Sequence, residues 1–185
     1  MYSGPGFKII AAGRTAAIAP RRIVLALLAF SISSAAASAE LVGEVVSVAD
    51  GDTITVLDAD REKHRIRLSG IDAPERRQAY GERSKQHLAA LVFRKTVHVF
   101  WDKRDRYARI VGRVYAAECE RACPYSIDVG LEQIRAGLAW HYRQYAREQP
   151  PRDRERYAES ERRAREQREG LWSDTHPVAP WQFRH

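Results

Sequence analysis

The sequence predicts an α+β domain in which a small barrel of five short β-strands carries three α-helices. Residues 41–116 alternate apolar, β-branched side chains with polar ones, and turn dipeptides separate the runs. The segments between and after these runs space their apolar residues as helices do. Five short strands of this kind suit a small closed barrel with a single core.

Turn residues delimit the expected strands. The first run ends at Asp50-Gly51, a dipeptide that favours a hairpin, and the third run leads into Gly70. The five predicted strands are residues 41–48, 53–56, 64–68, 96–101 and 109–115.

Three helices are expected, each covering one side of the barrel. The first two are residues 81–92 and 128–137, where leucine and isoleucine recur at helical spacing. The third is residues 153–169, which Pro150-Pro151 would start and Gly170 would stop. Its dense arginine and glutamate residues indicate a solvated face held by ion pairs.

Residues 1–39 have the pattern of a secretory signal peptide, with scattered basic residues, an apolar run over 23–32 and small residues up to Ala39. The apolar run is shorter than the ~20 residues of a membrane span, so we expect cleavage after Ala39 and a secreted or periplasmic protein. Arg21-Arg22 leaves the export route open. Residues 40–176 are then the folded domain and 177–185 a tail.

Charge is unevenly distributed along the chain. The leader holds four of the 31 lysine and arginine residues and no acid, whereas residues 61–113 hold 15 basic residues against 6 acidic ones. Such a basic block suits an anionic polymer, although a solvated basic face explains it equally well.

The two cysteines, Cys119 and Cys123, are four positions apart. Export implies an oxidising compartment, so a small-loop disulfide is predicted. A zinc site would need further ligands, and the sequence has no second cysteine pair or clustered histidines to supply them.

Several acids and arginines form a recognisable series. Their order is Asp50-Gly51-Asp52-Thr53, Arg67, Asp72-Ala73-Pro74-Glu75 and Asp105-Arg106-Tyr107-Ala108-Arg109, followed by Gly137-Leu138-Ala139 and Gly170-Leu171-Trp172. Carboxylate oxygens suit Ca²⁺, and guanidinium groups suit phosphate. These are the components of metal-assisted phosphodiester cleavage.

This series resembles the staphylococcal nuclease (thermonuclease) family over about residues 41–174. The resemblance implies a five-stranded barrel of the oligonucleotide/oligosaccharide-binding (OB) type with three helices. It also implies that Asp52, Asp72 and the backbone carbonyl of Ala73 hold Ca²⁺. Glu75 is implied as the general base, or as an organiser of water and neighbouring donors.

The resemblance also gives roles to residues that would contact the substrate. Arg67 and Arg109 are expected to bind phosphate oxygens and stabilise the transition state. Tyr107, Tyr142 and Tyr145 are the expected substrate-binding aromatics, where stacking on a base or sugar and packing within the protein both stay open.

Two positions depart from the family pattern. Ala73 stands where many members have threonine, which leaves the backbone ligand unaffected. Ala108 stands where glycine is usual, so the turn before Arg109 must avoid positive φ or accept a steric penalty.

The expected function is that of a Ca²⁺-dependent nuclease acting on DNA and RNA with little sequence preference. Water would attack phosphorus and expel the 5′ oxygen, leaving a 3′ phosphate. We expect a monomer without stable membrane association after signal cleavage. The alternatives are a catalytically inactive binding module, which would be expected to lose the acids or arginines, and an enzyme for another phosphodiester or nucleotide.

Overall fold

The computed structural model describes Met1, residues 38–117 and residues 124–184. From Ser38 onward these residues fall within one contact unit, residues 36–185. Most of the predicted leader and both cysteines, Cys119 and Cys123, lie outside the described residues. Within the described ranges, no helix has the length and apolar character that crossing a membrane requires.

Five strands close into the predicted barrel. Antiparallel pairing joins β3, β2, β1, β5 and β6 in that order, and β6 then pairs with β3 in parallel. The strands are β1 (Ala39–Val48), β2 (Thr53–Asp58), β3 (Lys63–Leu68), β4 (Ile71–Asp72), β5 (Thr96–Arg104), β6 (Ile110–Ala116), β7 (Ile127–Asp128) and β8 (Trp140–His141). The short strands β4 and β8 pair with each other outside the barrel.

The three predicted helices are present. They are α1 (Gly81–Val92), α2 (Val129–Arg135) and α3 (Pro151–Glu166). A 3₁₀ helix, Arg143–Glu148, precedes α3, and a second 3₁₀ helix, Gly170–Ser173, and a short α4 (Pro180–Phe183) follow it. Helix α2 begins after Asp128, whose side chain accepts a hydrogen bond from the Leu131 amide at 3.1 Å. Helix α3 begins at Pro151, a position where proline's missing amide hydrogen is not needed.

The core fills the barrel and extends under the helices. Alternate residues of the strands point inward, and Leu88 of α1 and Ile134 of α2 close the interior. Tyr157 of α3 is fully buried in the same cluster. Burying this apolar surface, at about 25 cal/mol per Å², is what stabilises the arrangement.

Two glycine turns meet where α2 and α3 end. Gly137 and Gly170 both have positive φ, and the Leu171 amide donates to the Gly137 carbonyl at 2.8 Å. A Cβ atom on Gly137 would lie 2.1 Å from the Glu169 carbonyl oxygen. The two Gly-Leu motifs therefore form one contact, which only glycine permits.

The charged run on α3 forms the predicted ion-paired face, for example between Glu159 and Arg163 at 2.7 Å. One acid of the run behaves differently. Glu161 is buried, accepts a hydrogen bond from the His141 amide at 3.1 Å and pairs with Arg143 and Arg165. Glu161 therefore connects α3 to β8 through its hydrogen bond with His141, and β8 pairs with β4.

Candidate active site

The acids and arginines of the sequence motifs line a single cavity of about 740 Å³. Barrel strands and the turns that follow them supply its walls. The charged lining residues from the motifs are Asp50, Asp52, Arg67, Asp72, Glu75, Asp105, Arg106 and Arg109. The structure thus brings together residues that are up to 59 positions apart in the chain.

Asp52 lies in the turn between β1 and β2. Its amide donates to Asp50 Oδ1 at 3.1 Å, and its carbonyl accepts from the Leu68 amide at 2.8 Å. Its Oδ2 accepts from the Ala73 amide at 2.9 Å. These bonds fix the carboxylate, which is buried yet borders the cavity.

Gln133 of α2 forms hydrogen bonds that hold this turn in place, and the sequence did not predict this contact. Its Nε2 donates to the Gly51 carbonyl at 2.6 Å and to the Ser84 carbonyl at 3.1 Å. Ser84 Oγ in turn donates to the Leu138 carbonyl at 2.7 Å. The side chains of Gln133 and Ser84 are both fully buried, so a buried hydrogen-bond network connects the turn to α1 and α2 and holds it rigidly.

Asp72 is held by the pairing of β4 with β8, where it lies opposite Trp140. Arg67, on β3, connects the two acids: Nη2 lies 2.8 Å from Asp72 Oδ1 and Nη1 lies 3.3 Å from Asp52 Oδ2. Arg67 Nη1 also donates to the carbonyls of Leu68 and Ile71. The guanidinium is therefore fixed in position before any ligand binds.

Arg109 enters the cavity from the loop before β6. Asp105 organises this loop, because it accepts from the Tyr107 and Arg109 amides and from Arg109 Nε, the last at 2.7 Å. Burial acts to raise the pKa of Asp105, but the bonds from Arg109 outweigh it and lower this pKa. Arg109 Nη1 also lies 3.4 Å from Thr53 Oγ1, which donates to Asp52.

Ala108 has a φ of +60°, so the loop adopts the left-handed conformation despite the departure from glycine. The sequence left open whether this turn avoids a positive φ or accepts the steric penalty, and in the structure Ala108 accepts the penalty. The conformation is closed by a bond from the Ala108 amide to the Asp105 carbonyl at 3.0 Å. Asp105 thus compensates for part of the steric penalty.

Ala73 and Glu75 follow Asp72 directly. Ala73 is buried beside Asp52, and Glu75 is partly exposed at the mouth of the cavity. The Glu75 amide donates to Gln78 Oε1 at 3.0 Å, which fixes the backbone at this position.

The three predicted aromatic residues also line the cavity. Tyr107 is 63% exposed, and the guanidinium groups of Arg106 and Arg109 lie over its ring. Tyr145 is exposed beside Tyr142, their ring centroids 5.2 Å apart. The Tyr142 ring is also stacked on Trp181, with a centroid distance of 5.7 Å and an interplanar angle of 21°.

Arg184, which directly follows α4, also contacts the site, and no sequence pattern predicted this contact. Its Nη2 lies 2.8 Å from Asp72 Oδ2, and its Nη1 lies 2.6 Å from Glu75 Oε1. Residues 177–184, assigned from sequence to a tail, thus pack on the domain. Asp50 was also given no role, although its place in the Asp-Gly-Asp motif was an available signal.

Burial and like charge perturb the acids. Burial, followed by the charge of Asp52, raises the pKa of Asp50 to about 6. Burial also raises the pKa of Asp72, against the opposing effect of the Arg184 hydrogen bond. Burial disfavours the charged form of Arg67, but Asp52 and Asp72 outweigh it and raise this pKa.

The donor set fits a divalent cation. Four carboxylates of the cavity lining lie around the guanidiniums of Arg67 and Arg184, namely those of Asp50, Asp52, Asp72 and Glu75. All of these side chains offer hard oxygen ligands. This chemistry suits Ca²⁺ or Mg²⁺ better than a softer transition metal.

A second group of potential ligands lies elsewhere, where Asp58, Glu62 and His64 approach within 4.8 Å at the β2–β3 turn. Its internal bonds account for it. Asp58 accepts from the Glu62 amide at 2.8 Å and pairs with His64 Nε2 at 2.6 Å. The group closes a hairpin, and the His64 hydrogen bond lowers the pKa of Asp58.

The fold and site together define an OB-type barrel with a carboxylate and guanidinium centre. The family model described as "Staphylococcal nuclease homologue" matches residues 65–174, more than half of the chain. The chain therefore belongs to the staphylococcal nuclease-like family, as the motif series predicted.

Full-length relatives agree with this assignment. The chain is 44% identical over 160 residues to the Escherichia coli protein named Protein ParB, covering 86% of this chain and 88% of the relative. It is 43% identical over 169 residues to a micrococcal nuclease of Shigella flexneri, covering 91% and 94%. An uncharacterized endonuclease of Escherichia coli is 43% identical over 166 residues, covering 89% and 98%.

Proposed function

We propose that this protein is a secreted or periplasmic Ca²⁺-dependent nuclease that hydrolyses phosphodiester bonds of DNA and RNA. The observation that carries the proposal is that Arg67 forms ion pairs with both Asp52 and Asp72. Glu75 and Arg109 line the same cavity. The endonuclease and micrococcal nuclease among its relatives support the same activity.

The carboxylates of Asp52 and Asp72 and the carbonyl of Ala73 would hold the cation. When bound there, Ca²⁺ supplies charge neutralisation of the phosphate and orientation of the attacking water. Buried, fixed oxygens reduce the reorganisation that binding requires, because Asp52 is already held by the Ala73 amide.

Arg67 and Arg109 act on the phosphate. Both guanidiniums stay charged at any working pH, and both are held by carboxylates before the substrate arrives. Donors positioned in this way stabilise the charge that develops on the non-bridging oxygens during attack.

Glu75 accepts the proton of the attacking water. The new bond forms between that water's oxygen and phosphorus, and the bond from phosphorus to the 5′ oxygen breaks. The departing oxygen takes a proton from solvent, which leaves a 3′ phosphate. Because contacts to phosphate and ring stacking read no base edges, sequence preference is expected to be small.

Cleavage of single- and double-stranded DNA and of RNA tests the proposal, with purified protein in Ca²⁺ and in EGTA. We expect Ca²⁺-dependent cutting that Glu75→Gln largely loses and that Glu166→Gln, a control on the exposed face of α3, retains. A folded protein that binds these polymers without cutting them would instead establish the binding module.

Export is the second part of the proposal, and the composition of residues 1–39 supports it. Mass spectrometry of the protein recovered outside the cytoplasm should show an amino terminus at Glu40. Recovery of the intact chain from the cytoplasm alone would overturn this part and leave the nuclease proposal standing.

A further inference from the structure

Arg184 forms hydrogen bonds and ion pairs with carboxylate oxygens that a bound cation would need as ligands. Its two terminal nitrogens contact both oxygens of Asp72, at 2.8 and 3.3 Å, and Glu75 Oε1 at 2.6 Å. Asp72 Oδ1 also accepts from Arg67 at 2.8 Å. Both oxygens of this buried acid are therefore engaged by guanidinium groups.

The segment that carries Arg184 is docked on the site by specific contacts. Trp181 stacks on Tyr142 at 5.7 Å and meets Trp140 edge-on at 5.4 Å. Ala179 is buried, and Gln78 Nε2 donates to the Val178 carbonyl at 2.6 Å. The segment thus covers a proposed cation ligand and a proposed substrate aromatic at once.

The two arginines at Asp72 differ in how firmly they are held. Arg67 lies on a barrel strand, donates to two backbone carbonyls and has a side chain that is 15% exposed. Arg184 follows a helix of four residues, and its side chain is 39% exposed. A helix this short has little stability of its own, so Arg184 is the arginine that can leave.

We propose that Arg184 is an internal competitor for the cation at Asp72 and sets the Ca²⁺ concentration at which the site fills. This inference rests on the proposed function. A divalent ion brings one more positive charge than the guanidinium it replaces, so exchange is favourable once Ca²⁺ is sufficient. Since arginine does not lose its proton in proteins, the competition persists at every working pH.

Calorimetric titration of Ca²⁺ into the full chain, without nucleic acid, tests the inference. Arg184→Gln should bind Ca²⁺ about tenfold more tightly than the wild type, a coupling of ordinary size. Arg163→Gln, which removes an exposed arginine of α3 paired with Glu159, should leave the affinity unchanged. Circular dichroism verifies that each variant is folded.

Trp181→Leu provides a second, independent variant, because it loosens the segment without touching the carboxylates. It should also tighten Ca²⁺ binding, by a smaller factor. Equal affinities in the wild type and both variants, or weaker binding by Arg184→Gln, would overturn the competitor while leaving the proposed nuclease intact. Absence of Ca²⁺ binding in every protein would overturn the calcium site itself, so the two failures are distinguishable.

Discussion

Two groups of buried acids in this domain have opposite surroundings. Asp128 lies in the interior and accepts from the Tyr157 hydroxyl at 2.8 Å and from the Leu131 amide at 3.1 Å, both neutral donors. Asp52 and Asp72 border an open cavity and face guanidinium groups. Burial raises the pKa of Asp128 and of Asp72 alike, so burial alone does not separate structure from function.

This comparison shows that the partners of a buried acid and its access to a cavity indicate its role better than its depth of burial does. Asp128 caps α2 by accepting from the Leu131 amide and anchors α3 by accepting from the Tyr157 hydroxyl, which is a structural task. The carboxylates of Asp52 and Asp72 beside a cavity, held by arginines, are instead placed where a cation or a phosphate can reach them. Removal of a residue from each group should therefore change different quantities.

The largest effect is expected from Arg109→Ala, which removes a transition-state donor. Turnover should fall by about 10²–10³, or roughly 3 kcal/mol, with the fold retained. Initial rates of DNA cleavage in saturating Ca²⁺ measure it, with Arg163→Ala as the control for loss of an exposed arginine. Wild-type turnover in a folded Arg109→Ala protein would remove this residue from the mechanism.

Asp50→Asn should stabilise the Ca²⁺-free protein at neutral pH by roughly 3 kcal/mol, because the raised pKa of about 6 reflects an unfavourable charge. The wild-type contribution of Asp50 is fully present below its unfolded pKa and is lost as pH rises through about 6. Asparagine keeps the acceptor for the Asp52 amide.

Urea unfolding between pH 4 and pH 8 in EGTA measures this change. The wild type should lose stability over that range relative to Asp50→Asn, whereas Asp60→Asn, in the exposed β2–β3 turn, should follow the wild type. Parallel pH profiles for Asp50→Asn and wild type would show that Asp50 carries no such strain.

Asp128→Ala should lower the free energy of unfolding by about 1–2 kcal/mol, since it removes a helix cap and leaves the Tyr157 hydroxyl without its acceptor. Cleavage by the folded protein should persist, because Asp128 does not line the cavity. Asp128→Asn, which keeps an acceptor for both donors, should lose less. If Asp128→Ala instead abolished cleavage without loss of stability, the division between the two groups would fail.

The smallest effect is expected at Ala108. Glycine relieves the positive φ of +60° but loosens the unfolded chain, so Ala108→Gly should gain about 0.5 kcal/mol. Ala59 lies in an exposed turn and has no positive φ. Ala59→Gly should therefore lower stability, because glycine only increases the conformational entropy of the unfolded chain. Thermal unfolding of both variants against wild type decides the sign.

Much of this arrangement could be predicted from local pattern. Alternation over residues 41–116 predicted the five strands of the barrel, and helical spacing predicted α1, α2 and α3. These succeed because side-chain period follows directly from strand and helix geometry. The bounds of α2 and α3 were less accurate, because caps and the contact between Gly137 and Gly170 fix them.

Long-range contacts escaped prediction for a physical reason. Gln133 is one of three polar residues in α2, beside Glu132 and Arg135, and only its bond to the Gly51 carbonyl, 82 positions away, shows that it supports the acidic turn. Glu161 was indistinguishable from its solvated neighbours until the fold buried it against His141. Both depend on which elements are neighbours in space, which local pattern does not contain.

By itself, the sequence determined the class of fold and the family, because these follow from periodicity and from an ordered series of motifs. The tertiary structure alone decided that Arg67 bridges Asp52 and Asp72, that Ala108 is strained and that Arg184 sits on the carboxylates. Those facts depend on distances between residues remote in the chain, and only the closed barrel and the packing of α4 set such distances.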